Sequence, residues 1–129
     1  MREQSDDLKT LSARLVALHA ALLQSERHAW EETYGPTKPA ELLRLLLNDP
    51  YFAWLRPLSG IIAQIDEALD PRATTAAFDA NTLFEAAQAL LRSGGSSAFQ
   101  TKYRDALQKS PEVVMAHADV VKILTRHGA

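Results

Sequence analysis

Leucine recurs at Leu8, Leu11, Leu15, Leu18 and Leu22 in alternating steps of three and four, the spacing at which an α-helix presents one face to a neighbouring helix. Val16 and Leu23 widen the stripe beyond a two-position seam, which favours burial in a bundle over a free-standing coiled coil. Nothing interrupts the pattern until Gly35-Pro36, so one helix is predicted over Ser5–Tyr34, ~45 Å long at the α-helical rise. That is long for a chain of this size, and it leaves the ends of the helix available to a partner.

Pro39-Ala40-Glu41 reads as the start of a second helix, with proline where its missing donor does no harm. Its continuation, Leu42 to Leu47 around Arg44, is apolar nearly all round, and a central position is expected. The helix must stop near Asn48, since Asp49-Pro50 supplies a cap and first position for the next one. In the third helix Tyr51, Trp54, Leu58, Ile61, Ile65 and Leu69 again fall in steps of three and four. Pro57 lies inside this pattern and cannot donate to the Ala53 carbonyl, so a kink or break is expected there.

Asp70-Pro71 ends the third helix, and Arg72 to Ala80 reads as a connection. Thr82-Leu83-Phe84-Glu85 matches a capping box opening a fourth helix through Leu91. Gly94-Gly95-Ser96-Ser97 is a loop, after which Phe99, Tyr103 and Leu107 define a fifth helix. Ser110-Pro111 repeats the cap-then-proline start, and Val113, Ala116, Val120 and Leu124 carry a sixth, with Arg126 and His127 in its last turn. No segment alternates with period two. The expectation is therefore one all-α domain over residues 1–129, a bundle of five to six helices with a long N-terminal helix and a proline-kinked central helix.

Composition narrows the function more than it names one. The 129 residues hold no cysteine, which removes disulfides, thiolate metal sites and a thiol nucleophile. Fourteen basic residues face 16 acidic ones and are scattered rather than striped, so nucleic acid is not an expected partner. The acidic, polar start Met1-Arg2-Glu3-Gln4-Ser5-Asp6-Asp7 has no apolar leader, no run spans a bilayer, and a cytoplasmic location follows as the expectation.

The segment Asn48-Asp49-Pro50-Tyr51-Phe52-Ala53-Trp54-Leu55-Arg56-Pro57-Leu58-Ser59, together with Phe99, Tyr103, Ala106, Leu107 and Pro111 to His117, resembles a family of small bacterial proteins of unknown function. The resemblance implies a bacterial source and a helical fold, and it assigns no role to any residue.

Candidate chemistry ends in isolated residues. A di-iron bundle needs Glu-x-x-His pairs, and the chain has none. His28 with Glu31 or Glu32 puts two ligand types on one helix face, as any solvated helix end does. His117 and Asp119 stand two apart on a helix and point to different sides, which denies them an oriented pair. The Gly94–Ser97 loop lacks the lysine and strand of a phosphate loop. No catalytic residue, metal or cofactor is expected. Two surfaces stay open: a homodimer face on Leu8, Leu11, Leu15, Leu18 and Leu22, and a ligand pocket of Trp30, Tyr51 and Trp54 with Arg56 at its mouth, each weighed against simple burial in the core. The leading reading is a non-enzymatic interaction or scaffold protein forming a homodimer. The alternatives are a small-ligand-binding bundle and, less favoured, a metal-dependent enzyme.

Overall fold

In the computed structural model, residues 2–72, 80–92 and 97–127 are described, with side chains from Ser5 onward. They form six α-helices: α1 (Arg2–Tyr34), α2 (Pro39–Asn48), α3 (Arg56–Leu69), α4 (Ala80–Leu91), α5 (Ala98–Lys109) and α6 (Pro111–Leu124). A 3-10 segment, Pro50–Leu55, precedes α3, and a 3-10 turn, Thr125–His127, follows α6. No strand occurs among the described residues. The loop expected at Gly94-Gly95-Ser96, and most of the connection expected after Arg72, lie outside them.

The leucine stripe of α1 is the spine of the core. Leu8 is 4% exposed and Leu11, Leu15, Leu18 and Leu22 are fully buried, under α6 and α3 with a smaller contribution from α4. Leu58 and Ile65 of α3, Phe84 of α4, Phe99 of α5 and Val113 and Val120 of α6 complete a single apolar cluster. The expected dimer face on these leucines is thereby corrected: a helix 33 residues long can bury its whole stripe when three later helices pack along it.

Pro57 produces a break. Because it has no N–H for the Ala53 carbonyl, Arg56 N–H takes that carbonyl instead, three residues on. Pro50–Leu55 winds accordingly as 3-10, and Pro57 becomes a first-turn residue of α3, where proline is tolerated. Two sequence expectations shift. Thr82 lies within the first turn of α4, which starts at Ala80, and the capping box belongs to α5, where Ser97 Oγ accepts from Gln100 N–H and the Gln100 side chain accepts from Ser97 N–H.

The expected central position of α2 is wrong. None of its residues is buried. Leu42, Leu45 and Leu46 lean on the core, whereas Leu43 and Leu47 stand 57% and 62% exposed. A helix of ten residues packed mainly on the short 3-10 segment has one inner side, whatever its leucine content.

Candidate interaction surface at the corner between α1 and α2

The turn that delivers α2 to this position is built from polar groups. Gly35 has φ +86°, a left-handed conformation that ends α1, and its N–H returns to the Glu31 carbonyl. Thr37, buried, donates its backbone N–H (2.7 Å) and its hydroxyl (2.6 Å) to Glu31 Oε2. Arg27 closes the ring by donating to Glu31 Oε2, Thr37 Oγ1 and the Thr37 carbonyl. These bonds, the Thr37 hydroxyl first, hold the Glu31 carboxyl below the usual carboxylate range. The loop geometry is thus fixed by charge-assisted bonds, and α2 leaves α1 at an angle that keeps Leu43 and Leu47 off the bundle.

Four rings fill the inside of the corner. Trp30 meets Tyr34 at 4.3 Å, Tyr51 at 5.2 Å and Phe52 at 5.5 Å between centroids, and Lys102 of α5 sits 5.7 Å above Tyr51. Tyr34 ends this array 69% exposed. Between it and α2 opens a cleft of about 350 Å³ lined by Trp30, Tyr34, Gly35, Glu41, Arg44 and Leu45.

The pocket expected from Trp30, Tyr51, Trp54 and Arg56 does not assemble. Trp30 and Tyr51 do meet, but Trp54 is buried on another side against Phe99, 5.4 Å between centroids, and its indole N–H donates to Glu26 Oε2 at 2.9 Å. Arg56 is exposed and donates to the Leu47 carbonyl at 3.0 Å, satisfying a last-turn acceptor of α2. The cationic group at the cleft is Arg44.

Elsewhere, polar pairs tie helices together. His19 Nε2 and Ser59 Oγ, 2.9 Å apart, join α1 to α3 beside a shallow groove of about 230 Å³ lined by Val16 and Ile62. Burial lowers the His19 pKa. Tyr103 Oη lies 2.6 Å from His117 Nδ1. Burial pushes the tyrosine pKa up and the histidine pKa down, so a protonated phenol donates to a neutral ring. The Asp119 carboxylate is turned to Lys122 at 3.9 Å. His28 pairs with Glu32 at 3.4 Å in solvent while Glu31 is committed to Thr37, and no group of three metal-binding side chains occurs among the described residues. Nor is any described helix long and apolar enough to cross a membrane.

The sequence pattern missed Thr37 and Glu31 as a turn clasp and Leu43 and Leu47 as surface groups. The clasp had one visible signal, a polar residue following Gly35-Pro36 at the end of a helix. No protein family, curated protein or solved structure matched the chain.

Proposed function

We propose that the chain is a non-enzymatic helical interaction protein that docks a protein partner on the outer stripe of α2. The observation that carries this reading is the pair of exposed leucines, Leu43 and Leu47, one turn apart on a helix with no buried residue. Large apolar side chains scattered singly are ordinary, but these are adjacent on one helix face and presented by a turn held through Thr37 and Glu31. At this corner Arg27, Glu31 and Thr37 are committed to holding the turn, which takes them out of any catalytic set.

The test is a photo-reactive phenylalanine analogue at position 47, introduced into the chain expressed in bacterial cells, the source that the resemblance implies. A discrete cross-linked protein species is expected at position 47 and not at exposed Lys109; cross-linking equal at the two sites, or at neither, overturns the reading. A second reading, small-ligand binding, is favoured by the cleft between Trp30 and Arg44. It requires saturable quenching of Trp30 fluorescence, measured in a Trp54→Phe background, by a small amphipathic compound, with Arg44→Ala abolishing the effect.

A further inference from the structure

Among the described residues, α2 is held to the molecule differently from the other helices. The other five pack on one another and each buries apolar side chains, whereas α2 buries none and rests mainly on the Pro50–Leu55 segment. The cleft of about 350 Å³ lies between its Glu41, Arg44 and Leu45 and the rings of Trp30 and Tyr34 at the end of α1. Left-handed Gly35 with Pro36 on one side, and Asp49-Pro50 on the other, join α2 to its neighbours through turns and not through continuous helix. Its own polar side chains do little to tie it down. The Asn48 amide returns to the Arg44 carbonyl of the same helix, and neither Glu41 nor Arg44 is in a salt bridge among the described residues.

Two polar attachments hold its ends. At the leading end Glu31 Oε2 accepts the Thr37 N–H at 2.7 Å, the Thr37 hydroxyl at 2.6 Å and the Arg27 Nε–H at 3.3 Å. At the trailing end Arg56 donates to the Leu47 carbonyl at 3.0 Å. The first set is partly buried, ionic and shared by three residues, while the second is a single bond open to water, so the leading clasp dominates. Under this clasp α2 rests on the segment that carries Tyr51 and Phe52 and faces Trp30 across the cleft. We infer that α2 is a lid: it opens from the bundle as a separate unit, uncovers the rings of the corner, and is latched shut by Arg27, Glu31 and Thr37. The inference concerns how α2 is held and stands apart from what docks on its outer stripe. Ten residues are too few to stay helical in water, so α2 unwinds as it leaves. Open, it gives a flat apolar ligand the ring faces that the closed corner withholds.

Native-state hydrogen exchange, resolved by peptide, reads the lid directly. In the unmodified chain the helical amides of α2 should exchange roughly tenfold or more faster than those from Leu11 to Leu22 and from Val113 to Leu124. Glu31→Gln and Thr37→Val each weaken the latch and should quicken α2 by a further factor of about ten, leaving those two core stretches unchanged. Thr37→Ser keeps the hydroxyl and should stay within about threefold of the unmodified chain. Anilinonaphthalenesulfonate, which fluoresces on bared apolar surface, should brighten with Glu31→Gln and Thr37→Val and not with Thr37→Ser. Four results overturn the inference: α2 amides as protected as the core stretches, latch variants whose α2 exchange is unchanged, latch variants that quicken all three stretches together, or faster α2 exchange with no gain in dye fluorescence.

Discussion

Tyr103 and His117 show what a single buried polar contact asks of a residue. Tyr103 is 2% exposed, and its hydroxyl must find an acceptor; the neutral His117 ring provides one at 2.6 Å. Because burial lowers the folded-state histidine pKa, the unfolded chain binds more protons as pH falls below the ordinary histidine value, and stability decreases through that window. The tyrosine shift is upward, so at alkaline pH the unfolded chain releases its proton first and stability falls again above about pH 10. Urea denaturation across pH should show both losses. Tyr103→Phe should reduce the alkaline one to the part left by Tyr51, whose pKa burial and then Glu26 also raise, and cost roughly 1–2 kcal/mol at neutral pH by leaving His117 Nδ1 without its donor. An alkaline limb unchanged in that variant would assign it to other groups. At Gly35 the constraint is backbone alone: a Cβ there meets nothing within 4 Å, yet φ is +86°. Gly35→Ala should therefore destabilise by about 1 kcal/mol, read as a lower urea midpoint, through strain and not through clash.

Between elements, burial and composition part company. The α1 leucines and the α2 leucines look alike in sequence, but Leu15 is fully buried and Leu43 is 57% exposed. Leu15→Ala should cost roughly 2–5 kcal/mol, the range for a vacated core site, and Leu43→Ser should stay within about 0.5 kcal/mol in the monomer. Equal losses in chemical denaturation would place α2 inside the core after all. This contrast also shows what was legible in the sequence. The α1 stripe, the stops at Gly35-Pro36 and Asp49-Pro50, and the disturbance at Pro57 were readable because helix periodicity and proline chemistry are local. The seam's direction was not readable, since a three-and-four stripe says that a face is covered without saying by which copy of which helix. For α2 the run of leucines obscured the inner side, which is set by the Thr37–Glu31 clasp and the 3-10 segment and not by the helix itself. The pocket expectation failed for a related reason: Trp54 and Arg56 neighbour Tyr51 in sequence, but the tighter 3-10 winding sends them to Glu26 and to the Leu47 carbonyl.

Across the whole molecule, the beginning of α1 and the turn after α6 are closed onto each other by one acid. Asp7, 8% exposed, accepts from His127 Nε2 at 2.8 Å and lies 3.3 Å from Arg126 Nη1. The His127 ring stacks on Phe84 of α4, 3.8 Å between centroids and 10° from parallel, while Gln88 of the same helix donates to the Leu124 and His127 carbonyls. Three helices thereby meet at one ring. Arg126 is 57% exposed and contributes little through its own ion pair. The histidine contributes through contact area and through a bond shielded from water. His127→Ala removes the stacking partner of Phe84 and leaves a nearly buried carboxylate without its best donor, a loss expected at roughly 1–3 kcal/mol. Because α1 runs the length of the core, that loss should appear first where α1 begins. Hydrogen exchange of a peptide spanning Ser5 to Leu15 should quicken in the variant well before exchange in α5 does. If both segments quicken together, the end of α1 has no separate stability, and the bundle opens as one unit from either end.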